Sequence, residues 1–159
     1  MKPTFIGLAL ALAASSASAL AETPSDTAFV QKAQADLLGQ YALAVLARSH
    51  AGSAPVQALA NDVASNAAAG NRFLIEYART HGITLSNKPS FRADTQYGSI
   101  SGSKGSSFNQ QFTQDIYTDT QLQQSDFQAS VSDPSLQRFA KQQDQEMNVL
   151  GERAEKLGG

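Results

Sequence analysis

Apolar residues recur along most of the chain in steps of three and four, the period of a helix face and not the alternation of a strand. The first stripe runs Phe29, Ala33, Leu37, Gln40, Ala44 and Ala47. Asp26 is placed to cap its start, and Ala51-Gly52-Ser53 breaks it just after His50. The second reads Val56, Leu59, Val63, Ala67, Gly70, Leu74 and Tyr77. Ser53 is its expected cap, Pro55 falls in its first turn, and His81-Gly82 supplies a glycine stop. A third begins near Ser107 and carries Phe108, Phe112, Ile116, Thr120, Phe127 and Val131. The fourth opens on Asp133-Pro134 and continues through Leu136, Phe139, Gln143, Met147, Leu150, Ala154 and Leu157. Four helical stripes and no strand pattern predict an all-α domain.

The segment 83–106 breaks the periodicity. It holds Pro89, Gly98, Gly102, Gly105 and many serines, and reads as connection with at most a short turn of helix. Helices of about 25 residues are about 37 Å long, and a connection of this size can travel that whole length. The second and third helices are then free to run parallel, which is the one-crossover connectivity of a ferritin-like four-helix bundle. The simpler alternative is an up-down-up-down bundle carrying a flexible insertion.

Ahead of the stripes lies a different kind of segment. Met1-Lys2-Pro3 is followed by the apolar run Phe5 to Ala14 and then by small residues up to Ala21. This is the three-part pattern of a secretory signal peptide, too short for a permanent anchor. Residues 1–21 are expected to be removed after Ala21, leaving 22–159 as the mature domain. Later segments lack the unbroken apolar length of a membrane helix. The expected location is the periplasm, free or peripheral at the outer membrane.

Composition narrows the chemistry. With no cysteine among 159 residues, disulfides, thiol catalysis and thiolate metal sites are excluded. A formal charge of −2 gives no electrostatic case for nucleic acid.

Five stretches taken in order carry a resemblance: the signal peptide, Phe29-Val30-Gln31-Lys32-Ala33, Val56-Gln57-Ala58-Leu59-Ala60, Phe108-Asn109-Gln110-Gln111-Phe112, and Asp133 through Ala140. Together they resemble the exported bacterial family of unknown function numbered 4142, over nearly all of the mature chain. The resemblance implies a ferritin-like four-helix bundle. It also implies a polar core pattern: an acid midway along the first helix, an Asp-His pair in the second, and a His in each of the last two. On this chain those positions fall at Gln40, at Asn66-Ala67, at Thr120 and near Leu150. Each has lost its ionisable group, and amides and hydroxyls are poor ligands for a transition metal. What the interior is expected to hold instead is a polar network of Gln40, Asn66, Thr120 and Gln143, with no metal.

The remaining candidates read as structure. His50 and His81 lie at helix C-termini, where a histidine meets exposed carbonyls and the negative end of the dipole. Asp115 with Asp119, and Glu152 with Glu155, have the spacing of a solvated outer face. Ser101 to Ser107 lacks the spacing of a phosphate loop, and no nucleophile elbow precedes a helix. The expectation is an exported, non-enzymatic protein of the bacterial envelope without catalytic residue or cofactor. It would bind an envelope protein or a small ligand. The alternative is a metal-dependent oxidoreductase or metal-binding protein of ferritin type.

Overall fold

The computed structural model describes residues 24–128 and 131–159. The expected signal segment and its cleavage after Ala21 lie outside the described residues. Five helices follow one another: α1 (Pro24–His50), α2 (Ala54–His81), α3 (Phe91–Ile100), α4 (Gly105–Phe127) and α5 (Pro134–Gly158). Among the described residues there is no strand.

The helix ends follow from local chemistry. Ser53 is extended at the N-cap of α2 with Pro55 in the first turn, and Gly82 ends that helix in the left-handed region at φ 71°. Asp133 caps α5 by accepting the N–H groups of Ser135 and Leu136 at 2.7 and 3.1 Å. At α1 the expectation needs correction. The helix starts at Pro24, so Asp26 lies inside its first turn. The Asp26 carboxylate accepts the Ser132 N–H at 2.6 Å, which ties the start of α1 to the segment before α5.

Four long helices form two antiparallel hairpins. Leu37 of α1 packs beside Gly70 of α2. Between α4 and α5, Gln124 meets Asn148 and Thr113 meets Gly158. The hairpins join along two seams. On one, Phe29 of α1 meets Phe127 of α4, and at the far end His50 meets Phe108. On the other, Phe73 of α2 stacks on Phe139 of α5 at 4.5 Å, and Asp62 pairs with Arg153. Both seams are antiparallel, so α2 and α4 run in the same direction. Every residue of the first two apolar stripes is buried, and of the fourth only Leu157, 38% exposed, stands outside. Alanines 44, 47, 60, 64 and 67 are buried in the same core, where their small side chains let helix axes approach closely.

The connection is more structured than its composition suggests. Phe91–Ile100 is a ten-residue helix, not a short turn. The Ser90 hydroxyl accepts the Ala93 N–H at its N-cap, and the Ser90 N–H donates to the Ala35 carbonyl at 3.2 Å. Gln31 donates to Thr84 O and Gln34 to Asn87 Oδ1, so the lead-in segment is fastened to α1 as well. The helix then runs beside α1 and α4. Gly39 makes this possible, since a Cβ there would fall 2.2 Å from the Ala93 Cβ.

Candidate functional site

The four residues expected to form one polar core do not converge. Asn66 and Gln143 do meet, across the α2–α5 seam, in a reciprocal amide pair of 3.2 and 3.3 Å. Each amide supplies the donor the other needs, so a half-buried pair is satisfied without charge. Gln40 lies deep in the core at 1% exposure, but its amide donates to Met147 Sδ at 3.6 Å and its Oε1 has no donor among the described residues. Thr120 turns back on its own helix, donating to Tyr117 O at 2.8 Å. It packs on Gly151 of α5, where a Cβ would come within 2.6 Å of its Oγ1. Ala67 and Leu150 are buried and apolar.

The histidines sit as helix-end residues. His50 Nδ1 is 3.1 Å from Leu46 O and His81 Nδ1 is 2.8 Å from Tyr77 O, each one turn back. His81 also stacks on the Tyr77 ring at 3.9 Å. Among the described residues, no three side chains of His, Asp or Glu gather as a metal ligand set.

The charged chemistry lies elsewhere, on the α1–α3–α4 seam. Asp119 is 2% exposed, so the solvated outer face expected for it and Asp115 is wrong. Its burial follows from its place beside Ile116 and Thr120 on the inward side of α4, and from the cover provided by α3. Arg92 of α3 stands between two buried acids, 3.6 Å from Asp36 Oδ1 and 3.4 Å from Asp119 Oδ1. Gln96, one turn on, donates to Asp119 Oδ1 at 3.0 Å. Lys32 bridges Asp36, at 2.9 Å, to Asp126. Asp115 is half-buried one turn before Asp119, and its Oδ2 has no donor.

The electrostatics record an excess of acid. Burial pushes the Asp115 carboxyl up to about 6, with the Asp119 charge adding to it and the Gln96 amide working against it. Burial also raises Asp119, although Gln96 and Arg92 favour its ionised form. Burial disfavours the Lys32 ammonium, but the Asp126 and Asp36 carboxylates outweigh it and hold that group above its usual value. Four carboxylates face two cations here. In the core of the α2–α5 seam the polarity is balanced by neutral amides, and its ion pair, Asp62 with Arg153, lies at the surface.

Sequence reasoning missed Asp36, Arg92 and Gln96. One signal was present for Asp36: Lys32 stands four residues before it, and Asp36 borders Leu37 on the inward stripe. Nothing comparable marked Arg92 or Gln96, because their helix lies in a segment with loop composition.

These features define an all-helical domain, with five helices among the described residues. Residues 10–157 match the profile of the domain of unknown function DUF4142, and the chain belongs to that family. Among solved structures it is similar to a crystal structure of a DUF305 fragment from Deinococcus radiodurans, with a TM-score of 0.78 at 17% identity. The match covers 86% of this chain and 97% of that one. At that identity the likeness speaks for the fold alone. No curated protein matches the chain.

Proposed function

We propose that this chain is an exported, non-enzymatic protein of the bacterial envelope, a ferritin-like helical bundle that binds an envelope protein or a small ligand. Its place would be the periplasm, free or peripheral at the outer membrane, after removal of residues 1–21. The observation that carries the reading is the chemistry of the inward polar positions. Gln40, Asn66, Thr120 and Gln143 offer amides and a hydroxyl, and Asn66 and Gln143 already satisfy each other. Such groups neither hold a transition metal tightly nor lower the pKa of bound water. The parallel course of α2 and α4, joined by a long crossover, supports the ferritin-like part of the reading. No described helix is long and apolar enough to cross a membrane, which fits a protein outside the bilayer.

Metal analysis of protein purified from the periplasm tests this. The expected result is less than stoichiometric iron, zinc or manganese, together with a mature N-terminus at Glu22. A tightly held, stoichiometric metal lost on substituting Asp36 or Asp119 would overturn it in favour of the metal-dependent alternative.

A further inference from the structure

The helix α3 is held in an unusual way. Of its ten residues only Ala93 and Ile100 are buried, and Phe91 at its start is 88% exposed. Ala93 and the larger Ile100 are its only buried apolar anchors, a narrow apolar contact for docking a helix of ten residues. The rest of its attachment is polar: the Arg92 guanidinium between Asp36 and Asp119, the Gln96 amide on Asp119, and the Ser90 N–H on Ala35 O.

That attachment has a cost. Covering the α1–α4 seam takes Asp36, Asp115 and Asp119 out of water, and α3 brings one cation for the three. The groups facing the seam are Lys32 and Asp36 from α1, Arg92 from α3, and Asp115, Asp119 and Asp126 from α4. Lys32 divides its charge between Asp36 and Asp126, so none of it is left over for Asp115. Two buried acceptors in the cluster, Asp115 Oδ2 and Gln96 Oε1, have no donor among the described residues, and the Arg92 Nε donor is held only by its 3.4 Å ion pair with Asp119. Ser99 and Ile100 of α3 line the same cleft as Asp115. One added proton on the Asp115 carboxyl removes a negative charge and supplies a donor where two acceptors lack one.

We propose that α3 is a proton-tightened strap: it lies loosely over the α1–α4 seam at neutral pH and is fastened in mild acid, when Asp115 takes up a proton. The direction follows from linkage. With α3 in place the carboxyl is desolvated and prefers its neutral form; with α3 lifted it is solvated and ionises as an ordinary aspartate. Docking therefore takes up a proton and strengthens as the pH falls below about 6. Above that value both states are ionised and docking no longer changes with pH. The exposed Phe91 and Tyr97 ride on the element that moves.

Native-state hydrogen exchange on the full-length mature chain reads this out, as protection factors corrected for the intrinsic pH dependence of exchange. The amides of α3 should be about threefold better protected at pH 5 than at pH 7, because solvent screening of the half-buried carboxyl reduces the full linkage of one proton. The amides of α5 should keep protection well above those of α3 at both values. Asp115→Asn, nearly isosteric and carrying its own donor, should hold α3 tightly at both pH values and abolish the difference. Gly39→Val, which lifts Ala93 without touching a charge, should remove α3 protection at both pH values and leave α5 protected. Equal α3 protection at pH 5 and pH 7 would overturn the proposal. So would an unchanged ratio in Asp115→Asn, or loss of α5 protection in step with α3 in Gly39→Val.

Discussion

The two seams that join the hairpins solve the same problem with opposite chemistry. Between α2 and α5, polarity in the core is carried by Asn66 and Gln143, which are neutral and meet each other's needs. Between α1 and α4, it is carried by Asp36 and Asp119, whose burial calls for a counter-charge that neither long helix supplies in full. The short helix α3 lies on that side and not on the other. Arg92 and Gln96 arrive with it, and they reduce the charge imbalance without closing it. A reciprocal amide pair is self-contained; a buried carboxylate recruits structure around it.

The comparison breaks most severely if charge is placed on the neutral side. Met147 is fully buried beside Gln40. Met147→Asp would put a carboxylate into a fully buried site, at a cost of about 4 kcal/mol. Gln145→Asp, exposed and off the inward face, should change stability little. Denaturant melts of the two variants decide the point. Equal midpoints would mean that the α5 register is misassigned.

Next in size is the loss of a cation from the charged side. Arg92→Met leaves Asp36 with only its shared lysine and Asp119 with only the Gln96 amide. Breaking a fully buried pair costs about 3–5 kcal/mol. Arg92 is one-third exposed and its contacts are long, so about 2 kcal/mol is expected. The variant should also ionise Asp119 at a higher pH than the parent, since the guanidinium now favours its charged form. A titration of the side-chain carboxyl by NMR reads that shift independently of the melt.

How much of this was legible beforehand divides along the same line. The four long stripes could be read from their three-four spacing because burying an apolar face is the main reason those helices form. Phe108, Phe112 and Ile116 were placed inward for that reason, and they are inward. The helix α3 has no such stripe. It contains Gly98 and Ser99, and it is held by partners on α1 and α4 that no local window contains. The burial of Asp119 was hidden with it, because the spacing of Asp115 and Asp119 is the same on a wet face as on a covered one. The amide pair is half legible: Asn66 and Gln143 are both among the expected polar positions, but the resemblance groups Gln40 and Thr120 with Asn66 only by their places along the helices. Such a place fixes the side of a helix and not the neighbour a side chain reaches.

A milder change tests the neutral seam on its own terms. Gln143→Ala leaves Asn66 without its partner, and a half-buried amide stripped of its hydrogen bond should cost about 1–2 kcal/mol. The double variant Asn66→Leu/Gln143→Leu replaces both partners by apolar groups of similar volume, so neither amide remains unsatisfied. It should recover most of that loss. If the double variant is less stable than Gln143→Ala, the pair contributes more than mutual satisfaction. The seam would then need a polar pair for specificity.

The smallest effect has the opposite sign, and it comes from carrying the amide chemistry of one seam into the other. The Asp115 carboxyl is pushed up to about 6 from an ordinary value of 3.8, chiefly by burial. A group whose folded value lies above its unfolded value adds stability that is complete below the unfolded value and is lost as the pH rises through the folded one. Asp115 should therefore make the protein more stable near pH 4 than at pH 7, with the change spread between about 4 and 6. A shift of two units corresponds to about 3 kcal/mol when fully expressed. Asp115 is only half-buried, so solvent screening reduces the expectation to about 1 kcal/mol. Asp115→Asn, permanently neutral and carrying a donor for the Gln96 Oε1, should be more stable than the parent by about that amount at pH 7. Near pH 4, where the parent carboxyl is protonated, the two should be alike. Paired melts at the two pH values give the answer, because acid titration of the groups that do not interact with Asp115 is common to both proteins and cancels in the difference. A variant less stable than the parent at pH 7 would mean that Asp115 is paired with a charge in solution and that the charged seam is balanced after all.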